Sequence, residues 1–136
     1  LIHRVKKVIR IIFLLVVSFN AGLVFAHGSD KAGPHGGFIQ MPGAFHTEVV
    51  PKGAGGIDVY LLDIDFKNAS TSNSSVEIAL DSQQFVRCDP VKTHFECKLP
   101  NGFDLKKKGG KLRVKATREN MKGNEALYEL PLKLNP

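Results

Sequence analysis

From Phe38 onward the polarity of the chain alternates with a period of two. Phe45, Thr47 and Val49 alternate with His46, Glu48 and Val50. The run from Ile57 to Asp65 follows, with Ile57, Val59 and Leu61 on one face. Val76, Ile78 and Leu80 form a third apolar set, and Leu112, Val114 and Ala116 a fourth. A strand sends successive side chains to opposite faces, so each run predicts a half-buried β-strand. Residues 51–56, 68–75, 100–102 and 106–110 are turns or loops by their content of Gly, Pro, Asn, Ser and Lys. Gln84 to Cys88 and Thr93 to Lys98 predict a hairpin around residues 89–92. Ala126 to Leu134 predicts the last strand, its buried set beginning at Leu127 or Tyr128. No long window carries the period of an amphipathic helix. The pattern predicts an all-β fold, a small antiparallel immunoglobulin-like β-sandwich with one hairpin disulfide.

The first residues break this pattern. Arg4, Lys6, Lys7 and Arg10 precede a run of Ile, Phe, Leu and Val, and the segment closes on Val24-Phe25-Ala26. A basic start, an apolar centre and a small residue before a cut are the marks of a secretory signal peptide. The apolar stretch is shorter than the roughly 20 residues a membrane span needs. The reading is therefore a signal peptide over residues 1–26, a flexible Gly/His-rich tail over 27–37, and a β-sandwich domain over 38–136. A periplasmic or secreted location follows, with membrane contact only through the signal peptide before cleavage.

Export changes the meaning of charge and cysteine. The whole chain carries 19 Lys+Arg against 13 Asp+Glu, a net +6. Four of the basic residues and none of the acidic ones lie in 1–26, which leaves 15 against 13, or +2, in the remainder. So small an excess gives no general attraction to nucleic acid, and none is expected as a partner. Cys88 and Cys97 are the only two cysteines, and oxidising conditions pair them as a disulfide. Closing a loop of about 10 residues stabilises by roughly 2.7 kcal/mol in the chain-entropy picture. Two cysteines also exclude a multi-thiolate zinc or iron–sulfur framework.

The remaining chemistry lies in the histidines. Three of the four beyond the signal segment, His27, His35 and His46, fall within twenty residues of its end. His35 sits between glycines in Gly33-Pro34-His35-Gly36-Gly37. His46 and Glu48, two apart on a strand, leave from the same face. They offer nitrogen and oxygen ligands, or an imidazole with an orienting carboxylate. Cleavage after Ala26 would give His27 a free α-amine beside its imidazole, a pair suited to Cu(II). Met41 adds a thioether. His94, in the cysteine hairpin beside Glu96, is expected to face solvent and to matter least. No nucleophile, phosphate loop or zinc-protease motif is present, so no catalytic residue is assigned and an enzyme is not expected.

Three segments taken together, Gly33-Pro34-His35-Gly36-Gly37, Phe45-His46-Thr47-Glu48 and Val59-Tyr60-Leu61-Leu62-Asp63-Ile64-Asp65, resemble small periplasmic domains associated with heavy-metal and copper handling. The resemblance covers Gly33 to Asp65 and implies His35, His46 and Glu48 as ligands. The resulting expectation is an exported copper carrier, buffer or efflux accessory, with zinc or another divalent transition metal as alternative cargo. A metal-efflux or delivery protein would be its partner. Competing readings are a secreted protein-interaction module with incidental histidines and, ranked last, a copper oxidase built on a histidine brace at His27.

Overall fold

The computed structural model describes residues 31–100 and 102–134; the signal-peptide expectation and His27 lie outside the described residues. The described chain forms ten short strands: β1 (Phe38–Gln40), β2 (His46–Pro51), β3 (Gly56–Leu62), β4 (Ser75–Leu80), β5 (Val86–Arg87), β6 (Asp89–Val91), β7 (His94–Lys98), β8 (Gly110–Arg118), β9 (Met121–Lys122) and β10 (Ala126–Leu130). One sheet has the order β1-β2-β3-β7-β6. The other runs β10-β8-β4-β5, with β9 paired to β8. Every pairing is antiparallel. The expected antiparallel β-sandwich is what the chain forms. The only helical element among the described residues is the 3₁₀ turn Gly53–Gly55.

The alternation places the core. Val49, Val59, Leu61 and Phe95 from the first sheet meet Val76, Ile78, Leu112, Val114 and Tyr128 from the second. All are at most 3% exposed. In β10 the buried set is Ala126, Tyr128 and Leu130, while Leu127 is exposed. That strand ends at Leu130, because Pro131 has no N–H to continue the ladder.

The cysteine hairpin differs from its expected form. Its arms are β6 and β7, and the turn is Lys92-Thr93, with Lys92 in the left-handed region at φ 56°. Val86 and Arg87 belong to the other sheet through β4. The chain thus changes sheets at Cys88, whose N–H donates to the Val76 carbonyl at 2.9 Å. Residue types alone could not reveal this: Val86 is apolar yet 57% exposed, while Cys88, two residues on, is buried. The Cys88–Cys97 disulfide forms from the buried side, with each cysteine 3% exposed.

One polar pair bridges the sheets. The Tyr128 hydroxyl donates to the Thr47 carbonyl at 3.0 Å and lies 2.6 Å from Thr47 Oγ1. Burial pushes the Tyr128 phenol well above its ordinary pKa. A raised folded-state pKa contributes stability that is fully present below the unfolded value, about 10, and is lost as pH rises above it. Tyr128→Phe is expected to cost about 1–2 kcal/mol at neutral pH, because Thr47 loses a buried partner. It should also flatten the alkaline fall in stability. Urea unfolding at pH 7 and at pH 10.5 measures both; equal alkaline slopes for the two proteins would contradict the assignment.

Candidate metal-binding face

The face of the first sheet turned away from the core carries Ile39, His46, Glu48, Asp58, Tyr60, Leu62, His94 and Glu96. This follows from the register, which sets Ile39 opposite Glu48, Glu48 opposite Tyr60, His46 opposite Leu62 and Asp58 opposite Glu96. It is not a solvated polar face. Ile39, Leu62, His46 and Asp58 are buried, and Glu48 is 0% exposed.

The segment before β1 covers Glu48. Gly33 to Gly36 makes a β-turn in which the Gly36 N–H donates to the Gly33 carbonyl at 2.9 Å. Pro34 holds the second turn position, for which its fixed φ is suited. Gly36 takes φ 75°, open to glycine at little cost. The Gly33 N–H then donates to the Gly37 carbonyl at 2.8 Å, closing the loop. A Cβ on Gly37 would lie 2.6 Å from the Val49 carbonyl oxygen, so only glycine permits this approach. Residues 33–37 are therefore not the flexible tail that composition suggested. Glycines in an isolated segment signal freedom, but here a buried carboxylate fixes them.

Three N–H donors converge on Glu48. Its Oε2 accepts from the backbone N–H of His35 and of Gly37, each at 2.9 Å. Its Oε1 accepts from His35 Nδ1, 2.6 Å away. Both oxygens of this unexposed carboxylate are thus engaged by the turn above it. The His35 ring stacks on Tyr60, with centroids 3.6 Å apart and planes 7° from parallel. Its side chain is 37% exposed. With Nδ1 carrying the proton, Nε2 keeps its lone pair and has no hydrogen-bond partner among the described residues.

His46 repeats the scheme. Its Nδ1 donates to the Asp63 carbonyl at 2.9 Å, and its ring stacks on Phe66 at 4.1 Å. Phe66 occupies the left-handed region at φ 62°, a strained conformation for a bulky residue that serves to lay its ring on the imidazole. The turn that permits this is tied by Asp63, whose carboxylate accepts from the N–H groups of Lys67 and Asp65 and from Asn68 Nδ2. The Lys67 amide is the main cause that holds the Asp63 carboxyl below its ordinary pKa. The Asp63 carboxylate is thus engaged in holding this turn.

Of the remaining sequence-derived ligands, Met41 is 45% exposed and follows β1. His35, His46 and Glu48 do not bring three ligand atoms within 4.8 Å of one another. Among the described residues the group that does is Asp58, His94 and Glu96. His94 thus does not simply face solvent. Its side chain is 18% exposed, and its ring rests against Tyr60 at 5.1 Å. A signal for it exists in the sequence: His94-Phe95-Glu96 repeats the spacing of His46-Thr47-Glu48. Asp58 carries no such mark, because only strand pairing brings it beside Glu96. No family model matches the chain, and no curated protein or solved structure is significantly similar to it.

Proposed function

We propose that this protein is an exported metal-binding protein that carries or buffers copper, with the Nε2 atoms of His35 and His46 as imidazole donors. The observation that supports this best is the contact between Glu48 and His35. A buried carboxylate that accepts a hydrogen bond from Nδ1–H fixes the tautomer and the ring direction, and leaves the other nitrogen as the donor atom. Such a charge is costly to bury, and its burial is by itself weak evidence for a purely stabilising role. His46, with Nδ1 on a carbonyl and its ring against Phe66, is prepared in the same way. Nitrogen donors suit Cu(II), the tightest-bound ion of the divalent series. Binding is reversible coordination, and protons compete with the ion for both rings, so acidification releases the cargo. A delivery or efflux protein is the natural recipient.

The competing reading is a protein-interaction module. The loop after β3 favours it, with Ile64 57% and Phe66 42% exposed beside His46. Copper titration against a competing chelator separates the two. The wild type is expected to bind one Cu(II) through this face. His35→Ala and His46→Ala should each weaken binding by about tenfold or more, in keeping with the loss of one of few donors. A His35→Ala/His46→Ala double variant that binds copper like the wild type would leave the interaction module as the better reading.

A further inference from the structure

We infer that Asp58, His94 and Glu96 form a second divalent-cation site, with the donor set of zinc rather than copper. The site does not rest on the copper reading above. Adjacent strands β3 and β7 pair Asp58 with Glu96, and His94 stands two residues before Glu96 on the same face. One ligand atom from each lies within 4.8 Å of the others.

The spacing separates coordination from hydrogen bonding. His94 Nε2 is 3.8 Å from Asp58 Oδ1 and 3.7 Å from Glu96 Oε1. Both separations are too long for a hydrogen bond. Zinc bonds of about 2.0–2.2 Å at tetrahedral angles place neighbouring ligand atoms about 3.4 Å apart. The two His94 separations need to close by only a few tenths of an ångström, with water completing the shell.

The surrounding charges point the same way. Asp89 and Asp58 flank Glu96 from the two neighbouring strands, so three carboxylates occupy one cross-strand row. Like charges directly opposite one another destabilise a sheet. Lys52 Nζ offsets part of this, at 3.3 Å from Asp58 Oδ2. It engages the oxygen other than the one nearest His94, and so leaves Oδ1 free to coordinate. The Asp58 carboxylate is 11% exposed and the His94 ring is held by Tyr60, so two of the three donors are already ordered. One imidazole and two carboxylates suit a borderline divalent ion, and this set lacks the second nitrogen or thiolate that copper favours.

Zinc titration of the purified protein by calorimetry, with the His94 imidazole signals followed by NMR, tests the site. The wild type is expected to bind Zn²⁺ with displacement of the His94 resonances. Glu96→Gln and His94→Ala should each weaken binding by about tenfold or more. The His35→Ala/His46→Ala variant should bind zinc at this site as the wild type does. Lys52→Ala should strengthen zinc binding about fivefold, because it removes a cation next to the ion. Glu96 is 58% exposed at its side chain, so its variant is expected to keep the wild-type melting temperature. The inference is overturned if the wild type binds no zinc. It is equally overturned if folded Glu96→Gln and His94→Ala bind zinc unchanged, or if the His94 signals do not move. Loss of copper binding in the His35/His46 variant bears only on the other site.

Discussion

Replacing Glu48 by alanine is expected to lower stability by about 3–5 kcal/mol, because two backbone N–H groups each lose a hydrogen bond to a charged acceptor, worth about 1.5–3 kcal/mol. The removed carboxylate accepts from His35 N, Gly37 N and His35 Nδ1, which tie the segment over it to the sheet. Gly33 and Gly37 pack directly on the Glu48 side chain, so its loss also leaves a cavity beneath the turn. Glu48→Gln is the more informative change. Its amide oxygen can still accept from the two backbone N–H groups, which keeps most of the packing. Its NH₂ group then faces His35 Nδ1 and needs an acceptor there. The imidazole must move its proton to Nε2, the atom proposed to hold copper. Glu48→Gln is therefore expected to stay folded and yet to lose about 10–100-fold in copper affinity, the range for orienting partners of metal-bound histidine. Chemical denaturation and chelator competition measure the two effects separately. A Glu48→Gln protein with wild-type copper affinity would show that the carboxylate serves the fold alone.

The second large effect is expected from the disulfide. A Cys88→Ala/Cys97→Ala protein should lose about 4 kcal/mol. Roughly 2.7 kcal/mol of this is the loop-closure entropy of the unfolded chain. About 1 kcal/mol more comes from the buried sulfur volume. The cysteines sit where the chain passes from β5 in one sheet to β6 in the other, so the bond ties the crossing point to β7. Because β7 carries His94 and Glu96, reduction should also loosen the inferred zinc site while leaving His35 on Glu48. Thermal unfolding with and without a reductant, followed by zinc titration of the reduced form, tests this. An unchanged melting temperature would mean that the crossing is held by packing alone.

Local pattern was enough for the layers of this protein. The period of two in β2, β3, β4 and β8 sorts core from outer face without reference to any partner strand, because a pleated strand has only two sides. The same rule placed His46 and Glu48 on one face, and the cysteine count left a single pairing. Three things depended on the tertiary structure. The change of sheet at Cys88 is not legible from residue types, since apolar Val86 is exposed and only the strand pairing shows that it belongs to the other sheet. The burial of Glu48 comes from a turn eleven to fifteen residues earlier in the chain, whose glycines read as slack until a carboxylate is set beneath them. Asp58 and Glu96, thirty-eight residues apart, meet only because β3 pairs with β7 rather than with the strand that follows it. Periodicity fixes which way a side chain points, but strand order fixes what it points toward, and the chemistry of this face depends on the second.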